Sequence, residues 1–293
     1  MSKSLREYVA EAREKGVAIG HFNFATIEVF HAIVEAAGEL GVPVILGTAE
    51  GEEGFVGTNE AVALVKTARE ETNQPIFLNA DHHYTFENVK KSIDAGYDMV
   101  IFDGAKLSIE ENTKITKQCV DYARVISKNT GRDILVEAEL GYIGQASGIL
   151  DAIPEGVGLT ENELTKPEEA KNFIDSTGID MFAPSVGNVH GMLRSVPDPA
   201  LNINRIKEIH DAVSIPLVLH GASGNSDEDI KAAISAGISV VHVNTELRRA
   251  WIDAEKAHIA AHPDDVAPYK LLAESKEAVK SVVLQKLKVF NNL

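Results

Sequence analysis

Pro75-Ile-Phe-Leu-Asn-Ala-Asp81-His82-His83 sets the architecture of this chain. A short apolar run, bounded by polar residues, reads as a buried strand. This one ends in a carboxylate and two imidazoles, which pack poorly but suit chemistry. Two later runs repeat the design. Met181-Phe-Ala-Pro-Ser-Val leads into Gly187-Asn-Val-His190-Gly191, and Ile215-Pro-Leu-Val-Leu leads into His220-Gly-Ala-Ser-Gly224. If three strands of one parallel sheet deliver His82, His190 and His220 to one rim, they can hold a divalent metal. Three imidazoles leave a position open on zinc, the catalytic arrangement. Successive side chains of an extended chain point to opposite faces. Only one of the two can therefore face the metal easily; His82 is chosen, and His83 is expected to pack or hydrogen-bond outside it.

Outward from that stretch, strand-like runs alternate eight times with helix-length amphipathic segments. The strands fall at roughly 17–23, 43–48, 75–80, 98–103, 133–139, 180–185, 215–220 and 238–243. Such alternation implies a parallel sheet. Eight units in 293 residues fit an α/β chain folded as a (β/α)8 TIM barrel, one domain over 1–293. Gly41, Gly96, Gly131, Gly178 and Gly237 fall where helices hand over to strands. The competitor, a doubly wound open sheet, would carry a glycine-rich phosphate turn after its first strand. His21-Phe-Asn-Phe-Ala-Thr stands there instead. An extra C-terminal helix is expected over about 267–289. Its apolar stripe (Leu271, Leu272, Val279, Val282, Val283, Leu287) would either cover the barrel or form a dimer seam. One connection, about 141–166, is too long for an ordinary turn and reads as an active-site loop, a mobile lid, with an inert surface excursion as the alternative.

Composition bounds the function. At 44% apolar and 25% charged residues the chain has the make-up of a soluble globular protein. A net charge of −16 argues against nucleic acid or an anionic membrane as partner. A phosphorylated small molecule stays open, because a few amides and one cation can bind it. The start of the chain lacks an apolar signal region and Cys119 is the only cysteine, so a cytoplasmic location is expected. Cys119 itself reads as a small core residue.

Chemistry-bearing residues gather at the C-terminal ends of the expected strands. They are Asn23, Asp81, His82, Asp103, Glu137, Glu139, His190, His220, His242 and Asn244. The barrel puts all of them at one mouth. A phosphate site is legible too. Gly191, Gly221 and Ser223 follow two metal-ligand candidates, and glycine lets a backbone approach a ligand closely. Their N–H groups, the serine hydroxyl, the N-terminus of the next helix and Asn244-Thr245 would form an anion cradle. Turn glycines and a helix-capping Thr245 are the plainer account of the same residues.

At Asn79-Ala-Asp81-His82-His83, Val136-Glu-Ala-Glu139-Leu-Gly, Gly187-Asn-Val-His190-Gly, Leu219-His220-Gly-Ala-Ser223-Gly and Val243-Asn-Thr245-Glu-Leu, the chain resembles the class II, zinc-dependent fructose-bisphosphate/tagatose-bisphosphate aldolases. The resemblance implies one catalytic Zn2+ held by His82, His190 and His220, with Asp81 moving the proton of the C4 hydroxyl. It implies that Gly191, Gly221, Ser223, Asn244 and Thr245 hold the phosphate of dihydroxyacetone phosphate, with Asn23 near the substrate. Asp103 and Glu139 would support or replace metal ligands, and a monovalent cation would lie near the phosphate. A homodimer or homotetramer is implied as well. The chain departs from the pattern at four places. His242 stands for an Asn, Ala49 for a Ser and Arg194 for a Lys near the substrate, and the loop Gly141–Gly148 lacks an acid that the family uses as base. His242, titrating near neutrality, would replace that base or bind a different second half of the substrate, and Glu155 is the nearest later acid in the loop. The leading expectation is reversible cleavage of fructose 1,6-bisphosphate. The alternatives are a tagatose-bisphosphate or other ketose-phosphate aldolase, a metal-dependent hydrolase in which Asp81 activates water, and a non-catalytic sugar-phosphate binder.

Overall fold

The computed structural model describes residues 3–145 and 147–293, so Met1 and Ser2 at the start, and Ala146 in the long loop, lie outside the described residues. The chain opens with α1 (Leu5–Lys15), β1 (Ile19–Asn23), α2 (Ile27–Leu40), β2 (Val44–Ala49), the short α3 (Glu50–Val56) and α4 (Thr58–Thr72). There follow β3 (Ile76–His83), α5 (Phe86–Ala95), β4 (Met99–Phe102), α6 (Ile109–Thr130) and β5 (Leu135–Leu140). The long loop carries a two-residue strand, β6 (Ile149–Leu150), before α7 (Pro167–Thr177), β7 (Met181–Pro184), β8 (Met192–Leu193) and α8 (Ile203–Ala212). The chain closes with β9 (Leu217–Leu219), α9 (Asp227–Ser235), β10 (Ile238–Val243), α10 (Thr245–Ala261) and α11 (Pro268–Asn291).

Eight parallel strands close in the order β1-β10-β9-β7-β5-β4-β3-β2, the expected (β/α)8 barrel. Alternation along each strand separates two environments. Leu78, Val100, Val136, Phe182 and Val241 point outward into the layer shared with the helices. Ile19, Ile45, Phe77, Met99, Leu135, Met181, Val218 and Val240, one from each strand, point inward and form one apolar layer at the barrel floor.

Helix α1 closes that floor. Its Leu5, Val9 and Ala12 are buried against the layer, burial worth roughly 1.5–3 kcal/mol for each of the two larger residues. The expected element pattern omits α1, although its signals are in the sequence. Ser4 and Glu7 form a reciprocal capping box, and Gly16 ends the helix in the left-handed region at φ 63°. The plug has a functional consequence, because apolar side chains fill this end of the barrel and the polar residues open at the other. The terminal helix α11 is the barrel-covering alternative of the two expected. Val279, Val283, Leu287 and Phe290 are all fully buried, and the helix lies against α2 and α10.

Candidate active site

Above the apolar floor the barrel interior turns polar. His21, Asn79, Glu137, Glu139, His220 and His242 are all buried there, and Asn79 Nδ2 meets His21 Nε2 at 2.9 Å. The decisive local feature is a bulge in β3. Strict alternation would send Phe77, Asn79 and Asp81 inward and His82 outward. Instead, Ala80 pairs with Val100 and His83 with Phe102, so β3 carries one extra residue. The extra residue is absorbed at His82, whose φ of 47° is left-handed, a conformation costing roughly 1–2 kcal/mol for a residue with a Cβ. Asp81 and His82 consequently both reach the mouth. His83 turns outward, as expected, to Glu53 on α3 (Nε2 to Oε2 2.9 Å).

His82, His190 and His220 converge. Their ring centroids lie 4.5, 4.7 and 5.7 Å apart, and His220 Nδ1 faces His82 Nε2 at 3.1 Å. In each ring the other nitrogen is engaged elsewhere. His82 Nδ1 meets Asp103 Oδ2 at 3.1 Å, His190 Nδ1 meets the Gly144 carbonyl at 2.8 Å, and His220 Nε2 meets Glu137 Oε1 at 2.7 Å. Such partners fix the rings of metal-binding histidines. Glu139 joins the cluster, with Oε1 at 3.3 Å from His220 Nδ1 and 3.4 Å from His82 Nδ1, and that oxygen is buried without a hydrogen-bond donor. Two ring nitrogens at 3.1 Å are close to the edge of a tetrahedron around zinc, about 3.3 Å for bonds of about 2.0–2.1 Å. Four donors within 4.8 Å of one another and an orphaned carboxylate oxygen fit a divalent ion.

Electrostatics agree with that fit. Burial, reinforced by the neighbouring His82, pushes His190 and His220 down to about 3, so both are neutral and free to ligate at physiological pH. Burial opposes charge on His82, but Asp81, Glu139 and Asp103 outweigh it and hold that imidazole well above its ordinary range. Burial likewise opposes charge on Asp81, but His82, His242 and His21 keep it well below the usual carboxylate range. Burial, then the Asp103 charge, pushes Glu139 well up.

Asp81 is buried beside the three imidazoles. Its Oδ1 is 3.7 Å from His82 Nε2 and 3.4 Å from His242 Nδ1, and its Oδ2 accepts from Asn23 Nδ2 at 2.8 Å. One cavity is lined by Asn23, Asp81, His82, His190, His220 and His242 together with Gly191, Gly221, Ser223, Asn244 and Thr245. At two of these positions only glycine fits. Gly221 (φ 66°) would put a Cβ 2.5 Å from the Val189 carbonyl oxygen, and Gly191 (φ 107°) would put one 2.8 Å from that of Gly148. Ser223 Oγ accepts from the Asn244 N–H at 3.3 Å, which ties the loops after β9 and β10 together.

The chain also matches known proteins over its whole length. The Fructose-bisphosphate aldolase class-II family profile matches residues 3–293. This chain belongs to that family. It is 36% identical over 292 residues to a probable fructose-bisphosphate aldolase of Bacillus subtilis (strain 168), covering 99% of this chain and 97% of that one. It is equally similar (36%) to the fructose-bisphosphate aldolase of Geobacillus stearothermophilus, with 99% and 96% covered. Among solved structures it resembles the YdjI aldolase of Escherichia coli K12, with a TM-score of 0.81, 32% identity and 99% and 97% of the two chains covered. The protein is an aldolase, and its family implies dependence on a metal.

Four expectations for this class-II aldolase need correction. Arg194 does not reach the cavity; its guanidinium lies on Asp151 (2.7 Å), where it fastens the long loop. Glu155 is exposed on that loop and does not line the cavity either. The next helix N-terminus is poorly suited to an anion, because α9 begins at Asp227, is capped by Ser226, carries Asp227, Glu228 and Asp229 in its first turn and contributes no residue to the cavity wall. The Gly221–Gly224 loop folds instead as a short 3-10 turn, Ala222–Gly224. His242 does not titrate near neutrality. Burial, then the adjacent His21 and His220 rings, hold it well below the ordinary range, and its ring stacks on His21 at 3.5 Å. Cys119 is buried as expected, its thiol pushed up to about 12 by burial.

The long loop is docked against the site. The His190 N–H donates to the Ile143 carbonyl (2.8 Å), β6 pairs with β8, and Arg248 Nη1 donates to the Ser147 carbonyl (2.7 Å). Sequence reasoning missed the Gly144 carbonyl, which no residue type signals, and Glu52. The signal for Glu52 was available: a Glu three residues after a strand end is placed to cap the following helix, and Glu52 Oε2 accepts from the Ala49 N–H at 2.9 Å.

Proposed function

We propose that this aldolase reversibly cleaves a ketose phosphate to dihydroxyacetone phosphate and an aldehyde. The substrate is fructose 1,6-bisphosphate, the aldehyde then being glyceraldehyde 3-phosphate. The observation that carries the reading is the meeting of three imidazoles, the Asp81 carboxylate and the backbone cradle in one cavity. His82, His190 and His220 would hold a zinc ion, with Glu139 beside them. Bound there, the ion would supply Lewis-acid polarisation of the ketone oxygen.

The remaining work belongs to side chains. Asp81, held ionised, takes the proton from the C4 hydroxyl as the C3–C4 bond breaks. Asn23 orients Asp81 through its amide. A neutral His242, its Nδ1 3.4 Å from Asp81, would accept a hydrogen bond from the newly protonated carboxyl and keep that proton beside the carbon to which it returns, so the proton moves from oxygen to carbon with none lost. The N–H groups around Gly191, Gly221 and Ser223, with Asn244 and Thr245, bind and orient the phosphate. We further infer a cytoplasmic homodimer or homotetramer. No described helix is long and apolar enough to cross a membrane.

A coupled assay tests the reading. Dihydroxyacetone phosphate should appear from fructose 1,6-bisphosphate faster than from tagatose 1,6-bisphosphate, and a chelator should stop it. Release of inorganic phosphate instead would move the protein to the hydrolases. Asp81→Asn should lower kcat by about 10²–10⁴-fold. Full turnover in His242→Ala would remove His242 from the proton route.

A further inference from the structure

Glu52 is a carboxylate on α3 that is buried and touches none of the three imidazoles. It collects donors from three separate parts of the barrel mouth. Oε2 accepts from Asn23 Nδ2 at 2.7 Å and from the Ala49 N–H at 2.9 Å. Oε1 accepts from Asn244 Nδ2 at 3.2 Å and from the Arg248 guanidinium. The Asn23 amide has two hydrogens. One goes to Glu52, and the other to Asp81 Oδ2 at 2.8 Å. The amide plane is thus clamped between two carboxylates. Rotating it to bring the Asn23 oxygen against either would set two acceptors face to face.

We propose that Glu52 is a positioning residue for the aldol reaction, acting through Asn23 on Asp81, and that Arg248 is its obligatory counter-ion. The inference rests on the reading of Asp81 as the proton-transferring group. A buried carboxylate accepting four hydrogen bonds needs a cation to balance it, and Arg248 supplies one. Arg248 is only half-buried, and its other arm donates to the Ser147 carbonyl of the long loop at 2.7 Å. The same guanidinium therefore neutralises Glu52 and fastens the loop over the cavity. The docked loop, the Asn23 amide and the Asn244 amide at the phosphate end share one carboxylate. Removing Glu52 frees the Asn23 amide to turn and leaves Asp81 with one fewer fixed donor. Asp81 stays charged but loses its aim, so the damage falls on kcat.

The test uses the full-length, metal-loaded enzyme, four single variants and one double variant. Glu52→Ala should lower kcat at least about tenfold while KM for the ketose phosphate changes less than about threefold. Glu52→Gln keeps an oxygen for Asn23 but turns an amide toward Arg248. It should be impaired alone and partly rescued when combined with Arg248→Met. Arg248→Met, at a half-exposed site, should fold normally and become cleavable by protease within the long loop, with kcat lowered severalfold. Asp81→Asn separates the two readings. If it is inactive while Glu52→Ala has wild-type kcat, the positioning role is wrong and the site stands. If Asp81→Asn is active, the reading of the site itself fails. Strictly additive effects of Glu52→Gln and Arg248→Met would also overturn the proposal, because two residues acting as one unit cannot be additive.

Discussion

His82 holds a left-handed backbone conformation that alanine would tolerate no better, and it does so inside a buried charge cluster. At such a residue the cost of the conformation is recovered only if the imidazole has a job. Its partners argue likewise: Asp103, Glu137 and the Gly144 carbonyl each hold one ring of the trio by the nitrogen that does not face the others. Outer partners of this kind are worth about 10–100-fold in metal affinity. Glu137→Gln should weaken zinc binding by that factor, measured by competition with a chromophoric chelator, while His220→Ala should abolish stoichiometric binding. Gly221→Ala should raise KM for the phosphorylated substrate more than it lowers kcat, since its Cβ would displace the cradle and not Asp81.

The elements carry two different loads. α11 is structural: Leu287 is fully buried, and Leu287→Ala should cost about 2–5 kcal/mol in denaturant unfolding with kcat unchanged in the folded fraction. The α3–β3 junction is an acid-sensitive joint. Burial opposes charge on Glu53, but His83, Thr58 and Lys91 outweigh it and hold the carboxyl down to about 2. A depressed carboxyl stabilises the fold above its unfolded value, about 4.3, and that contribution is lost as pH falls through the folded value. Stability should therefore decline between about pH 4.3 and about pH 2, and Glu53→Gln should flatten that part of the profile while lowering stability at neutral pH. Thermal melts across the pH series would show it.

At the scale of the molecule, the barrel is sealed at one end by α1 and loaded with buried titratable groups at the other. A cation that binds only the folded site should stabilise the whole chain, by about 2.7 kcal/mol at a hundredfold excess over Kd. Thorough chelation should accordingly lower Tm, and adding zinc back should restore both Tm and turnover. An unchanged Tm on chelation and re-addition would mean that the histidine cluster does not take the ion.

Periodicity alone determined the eight strands, the helices that follow them and the rim at which the polar residues emerge, because alternation and strand-end polarity are properties of neighbours in the chain. The convergence of Asp81, His82, His190 and His220 was legible for that reason, and so was the place of Gly191 and Gly221 in the same cavity wall. Family resemblance then attached a chemistry to them. The tertiary structure alone decided the rest. The bulge that turns His82 inward depends on the register against β4. Arg194 was drawn off to Asp151 and Glu52 drawn in among Asn23, Asn244 and Arg248 by contacts between residues far apart in sequence. The low proton affinity of His242 comes from burial among other imidazoles. Long-range pairing and desolvation are sums over neighbours in space, and no window of the sequence contains them.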